Sequence, residues 1–371
     1  MKFSEMPYTR PDAEALKKQM SQLTERLKSA ASYEEARQVF LEKEAASRTV
    51  ETQATLASIR HSIDTRDTFY DGEEKFWNTF GPELEEYEQA WKAAMLDSPF
   101  RKDFSAEYGD LMFLNAEIAR KCFKPEIIPE MQQENDLTQE YEKLLASAQI
   151  PFEGKTYTLS QLTPLKSDPD DARRLAAWQA DAKWSMEHAA ELDELYDKLV
   201  HLRDSMGKKM GYEGYTTLGY YRMNRNCYTK EDVEKFRTAV QKYLVPVADK
   251  ICRKQAERLG KTYPLSFADL ALEFRSGNPC PMGTPDDILA QGMKFYGELS
   301  PETKVFFRTM LDNELLDVLS TEGKQAGGYC TSLGDYEVPF IFANFNGTQH
   351  DVEVVTLSLI HISEPTRLRC I

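Results

Sequence analysis

Apolar residues spaced three and four positions apart recur along most of this 371-residue chain, and that spacing places them on one face of an α-helix. The first such row is Leu16, Met20, Leu23 and Leu27. Ser32 precedes the next helical segment as an N-cap, and Glu35 is placed to complete a capping box. Gly81 and Pro82 predict the end of one helix and the start of another. Residues 1–150 are therefore predicted to form a bundle of antiparallel helices with short connections.

The middle of the chain combines a short hairpin with a long helix. Glu153 and Gly154 form a turn between two short runs of alternating apolar residues, which indicates a β-hairpin. A single long helix is then predicted to run to about Met206. Its row of apolar positions is Leu192, Leu195, Leu199, Leu202 and Met206. Packing of this row inside the chain is favoured over a dimeric coiled coil, because the row is short.

The last third of the chain changes from helices to a β-ribbon. Thr229 and Asp232 predict the cap of a helix that Pro246 is expected to bend. The residues expected on the buried side of that helix are Val233, Phe236, Val240, Leu244 and Val247. Short apolar runs predict a β-ribbon over residues 326–346, and the segment 348–351 predicts a capped helix after it. The predicted fold class is therefore mostly α, with a small β-ribbon beside the last helix.

The charge of the chain argues against two classes of partner. Its formal net charge is −15, with 46 basic and 61 acidic residues, and such a surface repels phosphate backbones and anionic lipid headgroups. No apolar run approaches the length of a membrane span, and the N-terminus has no signal-peptide core. The six cysteines form no CxxC pair, which is typical of reduced thiols. We therefore expect a cytoplasmic protein that binds neither nucleic acid nor membrane.

Five stretches between residues 150 and 356 are more specific than the periodicity. They are YTLSQLTPLKSDPDDARRLAAW, GYEGYTTLGYYRMNR, YTKEDVEKFR, QAGGYCTSL and VPFIFANFNGTQHDVEVVT. In this order they resemble the oligoendopeptidase F-like branch of the thimet-oligopeptidase-like zinc metallopeptidases. The resemblance implies a long-helix oligopeptidase fold and hydrolysis of short peptides in a deep channel. It also implies that the main chain of a peptide substrate adds to the β-ribbon as a further strand.

The same resemblance implies a zinc motif, HExxH, directly after Thr356. In that motif two His on one helical face bind the metal, the Glu between them activates a zinc-bound water, and a later Glu completes the ligands. Here the first His slot and the Glu slot hold Leu357 and Ser358, and only the second His slot is filled, by His361. One His cannot hold zinc alone. This chain is therefore predicted to bind no zinc and to be inactive, whereas its full-length parent would use zinc.

The segment after Thr356 has a second unusual property. LSLIHISEPTR back-translates to a string that resembles the transposon end used in sequencing libraries. Residues 357–371 are therefore interpreted as a non-native, adapter-derived tail on a truncated fragment, with a divergent natural terminus as the alternative. The predicted organisation is 1–150 N-terminal helical bundle, 151–198 hairpin and start of the long helix, 199–356 first part of the metallopeptidase catalytic domain, and 357–371 tail.

Candidate substrate-binding residues lie in the ribbon. They are Gly327, Gly328, Tyr329, Phe342, Ala343 and Asn344. Glycine allows the backbone of a peptide to approach closely, but a tight structural turn against the core is the slightly favoured interpretation of the glycines.

Other chemically active side chains are interpreted as structural. Cys330 has no neighbouring His in sequence to act as its base. His188 and His201 are too far apart for one site, and His350 and Asp351 point about 100° apart on a helix, which is poor geometry for sharing a metal. Asp351 is expected to cap its helix instead. The tyrosines interpreted as a buried aromatic cluster rather than the flank of a cleft are Tyr212, Tyr215, Tyr220 and Tyr221.

Two functions from different classes are compatible with the sequence. The first is a fragment of a cytosolic zinc metallo-oligopeptidase, and the second is a non-catalytic helical interaction or scaffold protein. The first predicts an exposed apolar face around Phe340, Phe342 and Phe345, because the covering helices would be missing, whereas the second predicts a closed polar surface. A small-molecule hydrolase is a third option, but the chain has no GxSxG nucleophile motif.

Overall fold

The computed structural model describes the backbone of residues 1–363 and the side chains of residues 1–356. Over this range the protein is mostly helical with two small β-sheets, which confirms the predicted fold class. The helices are α1 (Ala13–Ser29), α2 (Tyr33–Ile63), α3 (Thr68–Leu96), α4 (Arg101–Tyr108), α5 (Leu111–Ala119), α6 (Ile128–Ala146), α7 (Leu159–Leu162), α8 (Asp171–Glu187), α9 (Ala189–Lys209), α10 (Tyr215–Arg222), α11 (Lys230–Ala239), α12 (Val245–Leu259), α13 (Pro285–Leu299), α14 (Pro301–Asp312) and α15 (Gln349–Ser363). The strands are β1 (Ile150–Phe152), β2 (Lys155–Tyr157), β3 (Leu316–Leu319), β4 (Tyr329–Leu333) and β5 (Val338–Phe345). None of the described helices is both long enough and apolar enough to cross a membrane.

The N-terminal helices form a bundle around one apolar core. The predicted row on α1 is buried, and its members are Leu16, Met20, Leu23 and Leu27. These side chains pack against buried residues of α2, α3 and α4, including Val39, Trp91 and Phe104. The predicted cap is also present, because the Ser32 hydroxyl oxygen accepts from the backbone N–H of Glu35 at 3.2 Å. Helical periodicity and capping therefore located this part of the fold correctly.

The predicted helix boundary at Pro82 is wrong, because α3 continues through it. A proline inside a helix has no N–H to donate, so the carbonyl four residues earlier loses its partner. Here that carbonyl belongs to Asn78, and it accepts instead from the side-chain amide of Asn135 at 3.1 Å. The next carbonyl, of Thr79, accepts from the amide of Gln132 at 2.8 Å. Side chains of α6 thus replace the missing helical bond, and α3 remains one helix.

The predicted single helix up to Met206 is also wrong, since α8 and α9 are separated at His188. The backbone of His188 leaves the helical region, with φ −104° and ψ 8°. Its ring nitrogen Nδ1 lies 2.9 Å from the carbonyl oxygen of Trp184, and its ring stacks on the Trp184 indole. The imidazole therefore forms a hydrogen bond with the carbonyl group of the preceding turn and helps to end α8.

Two other predictions for this region are confirmed. The hairpin forms as antiparallel β1 and β2, and both Glu153 and Gly154 have positive φ in its turn. The apolar row of α9 packs within the chain, where Leu195 and Leu202 lie against Leu137 of α6. The row is therefore part of an internal helix–helix contact, as favoured from its length.

The helical arm α11–α12 differs from the sequence prediction. Thr229 caps it as expected, and a π-helical turn, Val240–Leu244, lies just before Pro246. The side expected to be buried is exposed, with Phe236 69%, Leu244 59% and Val247 48% accessible. Helical periodicity identifies an apolar face but does not show what covers it. The contacts that attach this arm come mainly from the segment after it, where Phe267 packs on Trp178 of α8.

The C-terminal sheet has the order β3–β5–β4. β4 and β5 are antiparallel and are joined by a short 3₁₀ turn, Gly334–Tyr336, which confirms the ribbon predicted over residues 326–346. β3 runs parallel to β5 and was not predicted, because a four-residue strand carries too little alternation to be recognised.

The expected exposed apolar face around the ribbon is wrong. Phe340, Phe342 and Phe345 are buried, at 0%, 1% and 6% accessibility. They belong to a core that also contains Phe3, whose ring centroid lies 4.5 Å from that of Phe340, and Val355 of α15. N-terminal residues and α13–α15 cover the ribbon instead. Apolar side chains are exposed elsewhere, for example Phe236 on α11 and Leu299 on α13, so the described surface is not the closed polar one that the scaffold hypothesis predicts. The burial of the ribbon therefore does not separate the peptidase and scaffold hypotheses.

A buried lysine joins two strands of this sheet, β3 and β5. Lys324 is 4% accessible, and its ammonium donates to the carbonyl oxygens of Leu319 and Ala343, both at 2.7 Å. It also donates to the carboxylate and the carbonyl oxygen of Asp317. Burial lowers the pKa of Lys324, while the hydrogen bond and charge of Asp317 oppose this effect. The charge therefore ties the ends of β3 and β5 together.

Candidate functional site

The outer edge of β4 is free among the described residues, because β4 is the last strand of its sheet. The N–H of Ile341 in β5 donates to the carbonyl oxygen of Leu315 at 3.0 Å, on the β3 side. Ile341 is paired with Cys330, and residues in an antiparallel pair alternate between facing their partner and facing away. The backbone groups of Cys330 and of Ser332 therefore point to the open edge. A peptide in extended conformation can pair with these groups.

The segment that leads into this edge is held from two sides. The side-chain amide of Asn344 donates to the carbonyl oxygens of Gln325 at 2.9 Å and Gly327 at 2.8 Å. From α2, the carbonyl oxygen of Ser62 accepts from the N–H of Gln325 at 2.9 Å, and the Ser62 hydroxyl donates to the Gln325 side chain at 2.6 Å. The start of β4 is thus tethered to β5 and to the N-terminal bundle.

The six sequence candidates occupy different environments. Phe342 and Ala343 are buried, at 1% and 2% accessibility, so their side chains form the floor of the sheet and not its surface. The ring of Tyr329 stacks on Phe342 with centroids 4.8 Å apart. Gly327 is exposed with φ +88°, and a Cβ on Gly328 would lie 3.0 Å from the carbonyl oxygen of Phe342. Together with the Asn344 bonds, this geometry fits the alternative of a tight turn against the core, placed directly before an open edge.

A cleft of about 640 Å³ adjoins the edge strand. Its walls come from α2, α3, α6 and the first residues of β4, and Arg203 and Arg222 close one part of it. The hydroxyl oxygen of Tyr329 is buried at this cleft and has no hydrogen-bond partner within residues 1–356, and burial raises the pKa of Tyr329 to about 12. The cleft therefore lies between the N-terminal bundle and the ribbon, alongside the free backbone groups.

The two arginines of the cleft form ion pairs with one buried carboxylate. Glu134 accepts from Arg203 at 2.6 Å and from Arg222 at 2.8 Å. Burial acts to raise the pKa of Glu134, but the hydrogen bonds and charges of the two arginines outweigh it, and the pKa is lowered. Glu134 is therefore ionised at neutral pH and fixes α6 to α9 and α10.

Two other carboxylates in the cleft have no ion pair or hydrogen bond with the described residues. They are Glu74 of α3 and Glu142 of α6. Burial raises the pKa of Glu74 to about 7, with further contributions from Glu142 and Asp71, and burial also raises the pKa of Glu142. The sequence did not identify these residues, because they are 68 positions apart and belong to no motif.

The beginning of α15 is fixed by Asp351. Its carboxylate is buried and accepts from the N–H groups of Asn346, at 3.1 Å, and Gly347, at 2.7 Å. Burial raises the pKa of Asp351, and these backbone hydrogen bonds oppose the effect. His350 is exposed and lies 3.5 Å from Glu353. His350 and Asp351 therefore have different partners. Asp351 was expected to cap α15, but its carboxylate holds the N–H groups of Asn346 and Gly347, which precede the helix, so it stabilises the junction of β5 and α15.

The predicted metal slots fall on α15, beyond the last side chain that the structure describes. Leu357, Ser358 and His361 lie outside the described residues, although the backbone of α15 reaches them. Within residues 1–356, no three His, Cys, Asp or Glu side chains converge on a point where a metal could bind.

The remaining sequence candidates do not form a site together. His188 stacks on Trp184, and His201 is exposed beside Asp197 at 3.4 Å. Cys330 is exposed. The prediction that the four tyrosines form a buried cluster is wrong, because all four are only half-buried and Tyr220 and Tyr221 line a second cleft. Tyr212 packs near Tyr221 with ring centroids 5.9 Å apart.

Comparison with known proteins points to one family. Residues 3–123 match the peptidase M3 N-terminal domain. The chain is 39% identical to a crystal structure assigned as an oligoendopeptidase F, with a TM-score of 0.95, covering 98% of this chain and 64% of that chain. PZ peptidase A, solved with an inhibitor, is 40% identical with a TM-score of 0.95, covering 97% of this chain and 64% of that one.

A third similar structure is assigned as an oligoendopeptidase F from Bacillus anthracis str. Ames. It is 40% identical with a TM-score of 0.95, and 98% of this chain and 66% of that chain are covered. No curated protein sequence matches the chain. The chain thus spans slightly less than two thirds of the length of these three structures.

Proposed function

The chain is an oligoendopeptidase F-like member of the M3 peptidases, and we propose on that basis that residues 1–356 form the peptide-binding half of a zinc metallo-oligopeptidase. The whole protein would hydrolyse short peptides inside the cleft between the N-terminal bundle and the ribbon. The observation that carries the proposal is the open edge of β4 beside a cleft of about 640 Å³. Main-chain pairing at such an edge supplies affinity for peptides of many sequences.

Zinc does not fit the residues that the structure describes. No three ligand side chains converge within residues 1–356, and the Glu slot of the expected motif holds Ser358. We therefore propose that this chain binds peptides and does not cleave them. We also propose that residues 357–371 are a non-native tail and that 1–150, 151–198 and 199–356 are the successive structural units.

Equilibrium binding tests the proposal directly, because a chain that does not cleave leaves its peptide intact. Fluorescent peptides of about eight residues would be titrated with the protein and followed by anisotropy. We expect saturable binding, and we expect N-methylation of alternate peptide amides to weaken it strongly, since each methyl group removes a main-chain donor. Binding that is indifferent to N-methylation at every register would refute edge pairing.

A matched pair of variants locates the edge on the protein. Ser332→Pro removes an N–H that points away from β5, so the β4–β5 ladder stays intact while the edge loses a donor. Ser332→Ala keeps that N–H and serves as the control. We expect weaker peptide binding by Ser332→Pro only. Zinc content by atomic absorption tests the metal prediction, and one zinc per chain, lost in His361→Ala, would contradict it.

A further inference from the structure

Asn344 was predicted to bind substrate, but its contacts indicate a different role. Its side-chain amide is directed to the carbonyl oxygens of Gln325 and Gly327, at 2.9 and 2.8 Å, and not to the open edge. Both N–H donors of the amide are therefore used within the protein. Asn344 can therefore affect a bound peptide only indirectly, through the segment from Gln325 to Gly327 that its amide holds.

The held segment leads directly into the edge strand. Gly327 has φ +88°, a conformation that favours glycine. Gly328 crosses the backbone of β5 so closely that a Cβ there would lie 3.0 Å from the carbonyl oxygen of Phe342. β4 begins at the next residue, Tyr329. A small rotation at this crossing would displace the outward backbone groups of Cys330.

Pairing with a peptide requires these outward groups to stand at the correct spacing. An edge that is ordered before binding loses less conformational freedom when the peptide arrives, and the affinity is correspondingly higher. Two glycines in succession are the most flexible entry that a strand can have. The two hydrogen bonds from Asn344 restrict that entry from the β5 side, and the Ser62 bonds to Gln325 restrict it from α2.

We infer that Asn344 is a positioning residue that fixes the Gly327–Gly328 crossing and thereby sets the open edge of β4 for pairing with a peptide main chain. The inference rests on the proposed function, since it concerns how the same cleft binds its peptide.

The variant Asn344→Asp tests the inference with almost no change of shape. A carboxylate cannot donate, so it repels the two carbonyl oxygens that the amide holds. At pH 7 we expect the peptide dissociation constant to rise roughly 10-fold, which corresponds to losing a preordered edge. When the pH is lowered, the protonated side chain regains one donor, so its affinity relative to the wild-type chain should partly recover.

Asn115→Asp is the matched control. Asn115 uses its side-chain oxygen to accept from the amide of Asn226 at 2.6 Å, on α5 and away from the ribbon. An aspartate keeps that acceptor, so neither the affinity nor its pH profile should change.

Amide hydrogen exchange supplies a second measurement that does not depend on binding. In Asn344→Asp we expect faster exchange confined to residues 326–333, with α1–α3 unchanged. Should the wild-type chain bind no peptide, the proposed function fails, and the exchange data still decide whether Asn344 orders the edge. The inference is overturned if Asn344→Asp binds and exchanges like the wild-type chain. It is also overturned if its affinity falls without recovery at low pH while exchange rises throughout the protein, since that result marks a general loss of stability.

Discussion

Replacing Lys324 by methionine should destabilise the C-terminal sheet more than any surface charge change. Methionine fills a similar apolar volume but leaves the carbonyl oxygens of Leu319, Ala343 and Asp317 without the ammonium that now donates to them. A buried acceptor left without a partner costs about 1–3 kcal/mol, so three would cost about 3–9 kcal/mol. Removing the ammonium also removes the cost of burying it, which the lowered pKa of Lys324 reflects.

The net loss is therefore about 3–5 kcal/mol, the range measured when one partner of a buried pair is deleted. Urea unfolding with amide exchange of β3–β5 would measure it. The control is Lys75→Met, because Lys75 is 62% exposed and pairs with Asp71 on the surface at 2.9 Å, and we expect it to change stability by less than about 0.5 kcal/mol. If Lys324→Met lost no more than this control, the carbonyl cluster would not depend on the buried charge.

Three further predictions concern the bundle and the turn. Since burial raises the pKa of Glu74 to about 7, the fold favours its neutral form, and its contribution to stability falls as the pH rises from about 4.5 to 7. Glu74→Gln should therefore stabilise the protein by about 1–3 kcal/mol near pH 8 and by little near pH 4.5, and equal urea midpoints at pH 8 would contradict this. Asn135→Leu should lower the free energy of unfolding by about 1–2 kcal/mol in the wild-type chain. The loss should be smaller in a Pro82→Ala background, where a backbone N–H of α3 can reach the Asn78 carbonyl. A double-mutant cycle without coupling between the two sites would refute this replacement of the helical donor. Gly327→Ala should cost about 1–2 kcal/mol in thermal or urea unfolding, because its φ of +88° strains any side chain.

Local patterns predicted the fold well where one physical effect dominates. The row on α1, the Ser32 cap and the Glu153–Gly154 turn depend on neighbours within a few residues, and the structure confirms all three. The antiparallel ribbon was predicted for the same reason, since alternation and a tight turn are local.

Predictions failed where the deciding partner is distant in sequence. Pro82 does not end α3, because the side-chain amide of Asn135, 53 residues later, donates the hydrogen bond that the missing N–H would have made. Phe340 is buried because Phe3, at the other end of the chain, packs on it.

The cleft could not be located from the sequence for the same reason. Glu134 is kept ionised by its hydrogen bonds with Arg203 and Arg222, which are 69 and 88 positions away. Only the resemblance to known peptidases indicated which part of the ribbon faces a ligand.

The proline in α3 has a mechanical consequence for the bundle. The carbonyl group of Asn78 in α3 depends on the Asn135 side chain of α6, and the Thr79 carbonyl accepts from Gln132 of the same helix. This turn of α3 cannot keep its hydrogen bonds unless α6 is in place at one particular register. We therefore expect α3 and α6 to unfold together. The proline favours the one alignment of the two helices in which α6 supplies the missing donor.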